Sequence, residues 1–391
     1  MQTYSQIPNV NAHIHTPYSF SAFEKLTDVL EKASDEDVKI VGINDFYSMD
    51  GYEEWNRESQ KRHLYPLFNI EFICLQPDAQ EQGIRVNDPN NPGRTYISGK
   101  GLCCPPILND EYTKLLADVR NESNVQVMEM CRKVNQLIKS YNAGFSLNFD
   151  VIKELFTKGL VRERHLAKAL RMSTYIHYKN KPEDISAFFK KIFKGKPLHS
   201  DIFDFAGVEN EIRSNLLKAG GAAFVPEGPK AFLQLEVVCQ MIIAAGGIPT
   251  YPFLGDDSTG SFTEFENDLE KAVAILKQKN IFSVEFITAR NSIEMLETYA
   301  GYLHDNGFVV TFGTEHNTPA MEPVKLSARG KKPLTERLKQ INYDGACVIA
   351  AHQERINSGK TGYIDANGNA DISNRIDFIR EGDTIIQNVI Q

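Results

Sequence analysis

Two segments, KIVGI at 39–43 and PLFNIEFI at 66–73, are nearly continuous in apolar residues over lengths that suit strands. A strand with one wet face alternates polar and apolar residues. A continuous apolar run needs cover on both faces, which is the condition of a parallel strand between helices. The run NVNAHIH at 9–15 alternates with the period of a strand, so His13 and His15 project to one face. Helical stripes follow: Phe23, Leu26, Val29, Leu30 and Ala33 after the first strand, then a shorter helix near GYEEWNRESQKR.

The alternation then breaks. PDAQEQGIRVNDPNNPGRTYISGKGL at 77–102 is dense in Gly, Pro, Asn and Asp and reads as a long turn-rich loop or hairpin. From 108 to 235 the composition is helical, which predicts an inserted helical subdomain between the halves 1–107 and 236–391. Strand and helix patterns return in LQLEVVCQMIIAAGGIPTYPF, FTEFENDLEKAVAILKQKN, IFSVEFI, NSIEMLETYAGYLHDNG and FVVTFGTEH. The C-terminal seventy residues carry one clear helix, LTERLKQINYDGACVIAAHQERINS, and a polar, hairpin-like end.

The 51 acidic and 43 basic residues leave a net charge of −8, which gives no overall pull toward nucleic acid or an anionic membrane. The start MQTYSQIPNV has no charged region followed by an apolar one, and VVCQMIIAAGGI falls short of the ~20 residues a bilayer demands. Cys74, Cys103, Cys104, Cys131, Cys239 and Cys347 form no C-x-x-C pair and read as reduced thiols of a cytoplasmic protein. SGKTGY at 358–363 ends like a nucleotide-binding loop, but the required first glycine falls on Glu354 and a helix precedes it. Nucleotide binding there is rejected.

Chemistry-bearing residues recur at strand ends: His13 and His15, Asp45, Glu71, Tyr251, Arg290, Glu315 and His316. In a parallel barrel the C-terminal strand ends carry the site. Two imidazoles and two carboxylates from separate strands make an N/O donor set suited to Zn²⁺, Mn²⁺ or Fe²⁺.

In order, AHIHTPYS, VGINDFYSMDGY, PLFNIEF, VRERHLAKAL, AAGGIPTYP and VTFGTEHN resemble the landmarks of the PHP (polymerase and histidinol phosphatase) family of metal-dependent phosphoesterases. The resemblance spans 9–317, apart from the helical insert, and implies a distorted seven-stranded (β/α) barrel with metal at the strand C-termini. Family members bind up to three metals. At the outer ion's ligand positions this chain has Phe20, Phe46 and Asn317, and at two of the middle ion's it has Tyr96 and Tyr251. The complete remaining set is His13, His15, Glu71 and Glu315, the last in place of the family's Asp. One divalent metal is therefore expected.

Asp45 is expected to orient a metal-bound histidine. His316 is a general acid, an axial ligand or a packing residue. Arg94 and Lys100, on the Gly-rich loop with Tyr96, are candidates to hold an anion, as are Arg164, His165 and Lys168 near a helix start and Arg290 at a strand end. A single divalent ion polarises a phosphoryl oxygen and brings a bound water to a pKa of about 7. The expected function is hydrolysis of a small phosphorylated metabolite. The alternatives are isomerase or lyase chemistry on a carbohydrate-like substrate with Tyr251 as acid or base, or a degenerate binding module. Neither nucleic acid nor membrane is an expected partner, and homo-oligomerisation stays open.

Overall fold

The computed structural model describes residues 7–228 and 230–391. The apolar runs form β1 (Asn9–Ile14), β2 (Val38–Phe46), β3 (Tyr65–Leu75), β4 (Arg94–Lys100), a two-residue β5 (Leu233–Gln234), β6 (Ile248–Phe253), β7 (Ser283–Ile287) and β8 (Val309–Gly313). Seven of them run in the order β1-β2-β3-β4-β6-β7-β8, with β5 attached to β3, as a nearly closed barrel-like sheet. All neighbours on this path are parallel except β4, which is antiparallel to both β3 and β6. The sheet is barrel-like, but the regular (β/α) order expected of it breaks at β4, where the turn-rich segment folds back as a hairpin on β3. An antiparallel neighbour needs no crossover helix, and the turn-rich 77–102 segment supplies only the short helix Pro77–Glu81 before folding back as β4.

Closure is made at the end that carries the histidines. Ile14 pairs with Glu315, the His15 N–H donates to the Glu315 carbonyl at 2.8 Å, and the Glu315 N–H donates to the His13 carbonyl at 3.0 Å. A Cβ on Gly313 would lie 2.2 Å from the His13 Cβ, so only glycine permits this approach. Further down the seam a helix replaces the ladder. Asn342, on the helix Glu336–Asn357, accepts from the Phe312 N–H at 2.8 Å and donates to the Val10 carbonyl at 3.2 Å. Three turns on, Gln353 accepts from the Phe68 N–H at 3.0 Å and donates to the Pro66 carbonyl at 3.1 Å, capping the edge of β3 beyond its pairing with β4. Buried main-chain groups need partners, which accounts for two buried amides on an otherwise apolar helix face.

The C-terminal end departs from its expected reading. A bridge between Ile364 and Ala370 gives the hairpin, but a second helix, Arg375–Ile390, follows and buries Phe378, Gly382 and Ile386. Gly382 looks like a helix breaker in sequence. A Cβ there would lie 1.9 Å from the Cys347 carbonyl, so it is a helix-contact residue. Between β4 and β5, the helices Asp110–Ser140, Phe149–Phe156, Glu163–His177, Pro182–Ile192 and Phe205–Ile212 pack on a hydrophobic cluster of their own, with Val134, Leu166, Leu170, Ile185, Phe189 and Ile212 buried in it. All six cysteines are free thiols. Among the described residues no helix is long and apolar enough to cross a membrane.

Candidate metal centre

His13 and His15 emerge from the end of β1 into the barrel, and both are fully buried. Glu71, seven residues into β3, reaches the same point. Its Oε2 lies 3.2 Å from His15 Nε2 and 3.6 Å from His13 Nε2, and the two Nε2 atoms are 3.3 Å apart. The three side chains place ligating atoms within 4.8 Å of one another. Glu71 Oε2 is buried without a hydrogen-bond partner. Three electron-rich atoms converge on one point, which calls for a cation between them. Burial opposes a charge on His13, but Glu285 and Glu71 outweigh it and hold the imidazole up to about 9. The same imidazole, against the push of burial, holds Glu71 below the ordinary carboxylate range. The donor set fits a borderline divalent ion, with a proton on His13 as its competitor.

Each histidine is oriented from behind. His13 Nδ1 lies 3.0 Å from Glu285 Oε2, which turns Nε2 toward Glu71. Glu285 also accepts from Ser98 Oγ at 2.6 Å and from Lys100 Nζ at 2.6 Å, all four residues being fully buried. His15 Nδ1 lies 3.3 Å from Ser19 Oγ, which donates to Asp45 Oδ1 at 2.6 Å. Asp45 further accepts from the Thr16 N–H at 2.7 Å and the Thr16 hydroxyl at 2.5 Å. Such partners fix tautomer and ring orientation in metal sites.

Phenyl rings stand beside His15. Phe20 and Phe46 lie nearly parallel to its imidazole, with centroids 5.5 and 5.0 Å away, and to each other at 5.5 Å. The space next to His15 is filled by hydrocarbon, which offers no ligand.

Glu71 opens onto a cavity of about 880 Å³ between the barrel mouth and the helical segment. Of the expected residues, Arg94, Tyr96, Arg164, Arg290, Glu315 and Asn317 line it. The Glu315 carboxylate is bonded to Arg290 and, at 2.5 Å, to Asn317 Nδ2, and it stands outside the group of three converging ligands. Glu315 and His316 both have positive φ, +66° and +57°, an uncommon conformation for such residues that turns this segment sharply at the barrel mouth.

Of the residues expected to act on substrate, Lys100, His165, Lys168, Tyr251 and His316 do not line the cavity, Lys168 lying instead 3.4 Å from Glu24. Lys100 is a strand residue inside the barrel, tied to Glu285, because β4 enters antiparallel and turns it inward. His165 Nδ1 accepts from the Arg162 N–H at 3.0 Å, capping its own helix, and burial pushes it down to about 4. His316 uses both nitrogens, 2.7 Å from Thr314 Oγ1 and 2.9 Å from the Glu322 carbonyl. Tyr251 packs on Phe253 and Phe265 and donates to Glu266 at 2.9 Å.

Sequence reasoning missed Glu285, although its setting, VEFI, repeats the IEFI around Glu71. It also missed Arg162, Arg213 and Lys218, which line the cavity from the helical side.

No protein-family profile and no curated protein match the chain by sequence. Ten solved chains match by structure. One is a provisionally assigned metal-dependent phosphoesterase from Bifidobacterium adolescentis, at 14% identity and a TM-score of 0.53, covering 86% of this chain and 96% of that one. Another is an amidohydrolase from Chromobacterium violaceum with bound sulfate and no metal, at 15% identity and a TM-score of 0.53, covering 85% and 96%. The likeness lies in the fold: the chain has the architecture found in these hydrolase structures, with a buried His–His–Glu group at the barrel mouth.

Proposed function

We propose that the protein is a divalent-metal-dependent phosphoesterase of the PHP type, acting on a small anionic substrate. The observation that carries the reading is the orphaned Glu71 Oε2, facing two buried imidazoles at the floor of a cavity rich in guanidinium groups. His13, His15 and Glu71 would hold one Zn²⁺, Mn²⁺ or Fe²⁺, with Glu315 able to complete the set on leaving Arg290. When bound, the ion supplies Lewis acidity and an ionised water at neutral pH.

The chain's own residues do the rest. Glu285 and Asp45 keep the imidazoles aimed, Phe20 and Phe46 close off the neighbouring space, and cavity arginines bind and orient the anion. The segment 108–235, much of it packed on a hydrophobic cluster of its own, supplies one wall of the cavity. The free thiols support a reducing, cytoplasmic setting.

A panel of phosphomonoesters and phosphodiesters incubated with Mn²⁺ or Zn²⁺ tests the reading. Phosphate release that disappears in Glu71→Gln is expected. Absence of turnover across the panel with metal bound would favour a non-hydrolytic enzyme.

A further inference from the structure

Cleaving an ester of an aliphatic alcohol calls for a proton on the departing oxygen, and the cavity holds few groups able to give one. Among the described residues no histidine and no cysteine lines it. Apart from Glu71, each lining carboxylate is ion-paired with an arginine. A paired, ionised carboxylate accepts hydrogen bonds and donates none, and arginine keeps its proton. The hydroxyls of Ser123 and Thr318 are no more acidic than the alcohol that would leave. Tyr47, Tyr96 and Lys218 remain.

Tyr47 is committed to the main chain of Ile73, whose N–H it accepts from at 3.2 Å and whose carbonyl it donates to at 3.5 Å. Lys218 is exposed on the helical wall, and its charged neighbours are Arg213, Glu163 and Arg164, none of them at the metal centre. Tyr96 is placed differently. On the antiparallel pair β3–β4, Glu71 faces Ser98 and Ile73 faces Tyr96, so all four side chains point to one side. That side is the barrel interior, because Ser98 Oγ donates to Glu285 at 2.6 Å. Tyr96 therefore stands one step nearer the mouth than the floor, its Cα about 7–8 Å from that of Glu71 across the diagonal. Asn87 pins its main chain, accepting from the N–H at 2.8 Å and donating to the carbonyl at 3.0 Å, and its ring meets Phe46 edge-on at 6.2 Å. Its hydroxyl makes no hydrogen bond among the described residues and opens on the cavity, although a phenol in such surroundings ordinarily finds a partner. Burial, then Asp88 and Glu71, push this phenol above its ordinary 10, so it carries its proton at neutral pH, and Arg162 nearby would steady a phenolate.

We infer that Tyr96 is the proton donor to the leaving oxygen, which makes phosphate esters of aliphatic alcohols the substrate class. The inference rests on the phosphoesterase reading above. As the phosphorus–oxygen bond breaks, its electron pair stays on the alcohol oxygen, which takes the Tyr96 proton. The attacking water gives its oxygen to phosphorus and a proton to solvent, and the phenolate recovers a proton from solvent.

Steady-state hydrolysis of propyl phosphate and para-nitrophenyl phosphate by the metal-loaded full chain and by Tyr96→Phe tests it. A propoxide needs the proton in order to leave, and a para-nitrophenolate does not. The kcat/KM of Tyr96→Phe is expected to fall about 100-fold or more on the propyl ester, with a loss at least about tenfold smaller on the aryl ester; a merely structural role would lower both alike. A second readout needs no turnover. Removing a hydroxyl that has no partner costs no hydrogen bond, so the metal content and the urea midpoint reported by Trp55 fluorescence are expected to stay at the parent's values. Equal losses on the two esters, no loss on either, a lowered midpoint or lost metal overturns Tyr96 as the acid and leaves the hydrolase reading standing. No turnover of either ester by the parent overturns that reading and the acid with it.

Discussion

Replacing Lys100 with methionine separates two roles that the sequence left confounded. In the structure its ammonium lies 2.6 Å from Glu285 Oε2 and 3.1 Å from the Ala12 carbonyl, and neither charged side chain is exposed. Lys100→Met keeps the volume and removes the charge. Glu285 is then left buried with the Ser98 hydroxyl and the His13 N–H as its donors. Breaking one half of a buried pair costs about 3–5 kcal/mol. With a urea m-value of about 3 kcal/mol per M or somewhat more, the midpoint falls by roughly 1 M. Trp55, the only tryptophan and fully buried, reports the transition by fluorescence.

The pH dependence has a definite sign. Burial pushes the Glu285 carboxyl up, and Lys100 first, then His13, bring it well below its ordinary 4.5. A depressed carboxyl stabilises above its unfolded value, and that stability is lost as pH falls through the folded one. The penalty of Lys100→Met is therefore largest at neutral pH and shrinks in acid, as Glu285 takes up a proton. Lys100→Met/Glu285→Gln is expected to recover most of the loss. An unchanged midpoint together with lost phosphate binding would refute the reasoning and return Lys100 to the ligand.

Two other outcomes follow from the site. Because His13 is held at about 9, a cation at Nε2 displaces a proton; calorimetry at pH 7–8 in buffers of different ionisation enthalpy should find about one proton released per metal bound, and none released would mean His13 is not a ligand. Tyr251→Phe should leave metal binding and any turnover within about twofold of the parent and cost about 1 kcal/mol in urea unfolding, since its hydroxyl meets Glu266 away from the cavity; a large loss of turnover would restore it as an acid or base.

Much of this was legible in the sequence because barrel strands end where ligands must be. His13 and His15 sit at such an end, and Glu71, though four residues short of the end of β3, pairs with the last residue of β2, so their convergence follows from parallel pairing of β1, β2 and β3. What was illegible is facing and distance. Tyr251 pairs with Val284, while its neighbour Thr250 shares the side of Ser283, at 2.8 Å, so a shift of one residue decides which side chain enters the barrel. His165 turned back on its own helix start, a local bond that spacing does not reveal. Lys100 reads as a loop residue because glycines flank it, yet Gly99 and Lys100 itself belong to the strand β4. Arg162 and Arg213 are 51 positions apart, and only the packing of the helical segment brings them to one wall.

The most direct test counts metal. Chain dialysed against Zn²⁺ or Mn²⁺ and then freed of excess is expected to retain one equivalent by elemental analysis, and Glu71→Gln is expected to retain essentially none. Three equivalents in the parent, or one kept undiminished by Glu71→Gln, would contradict the centre described above.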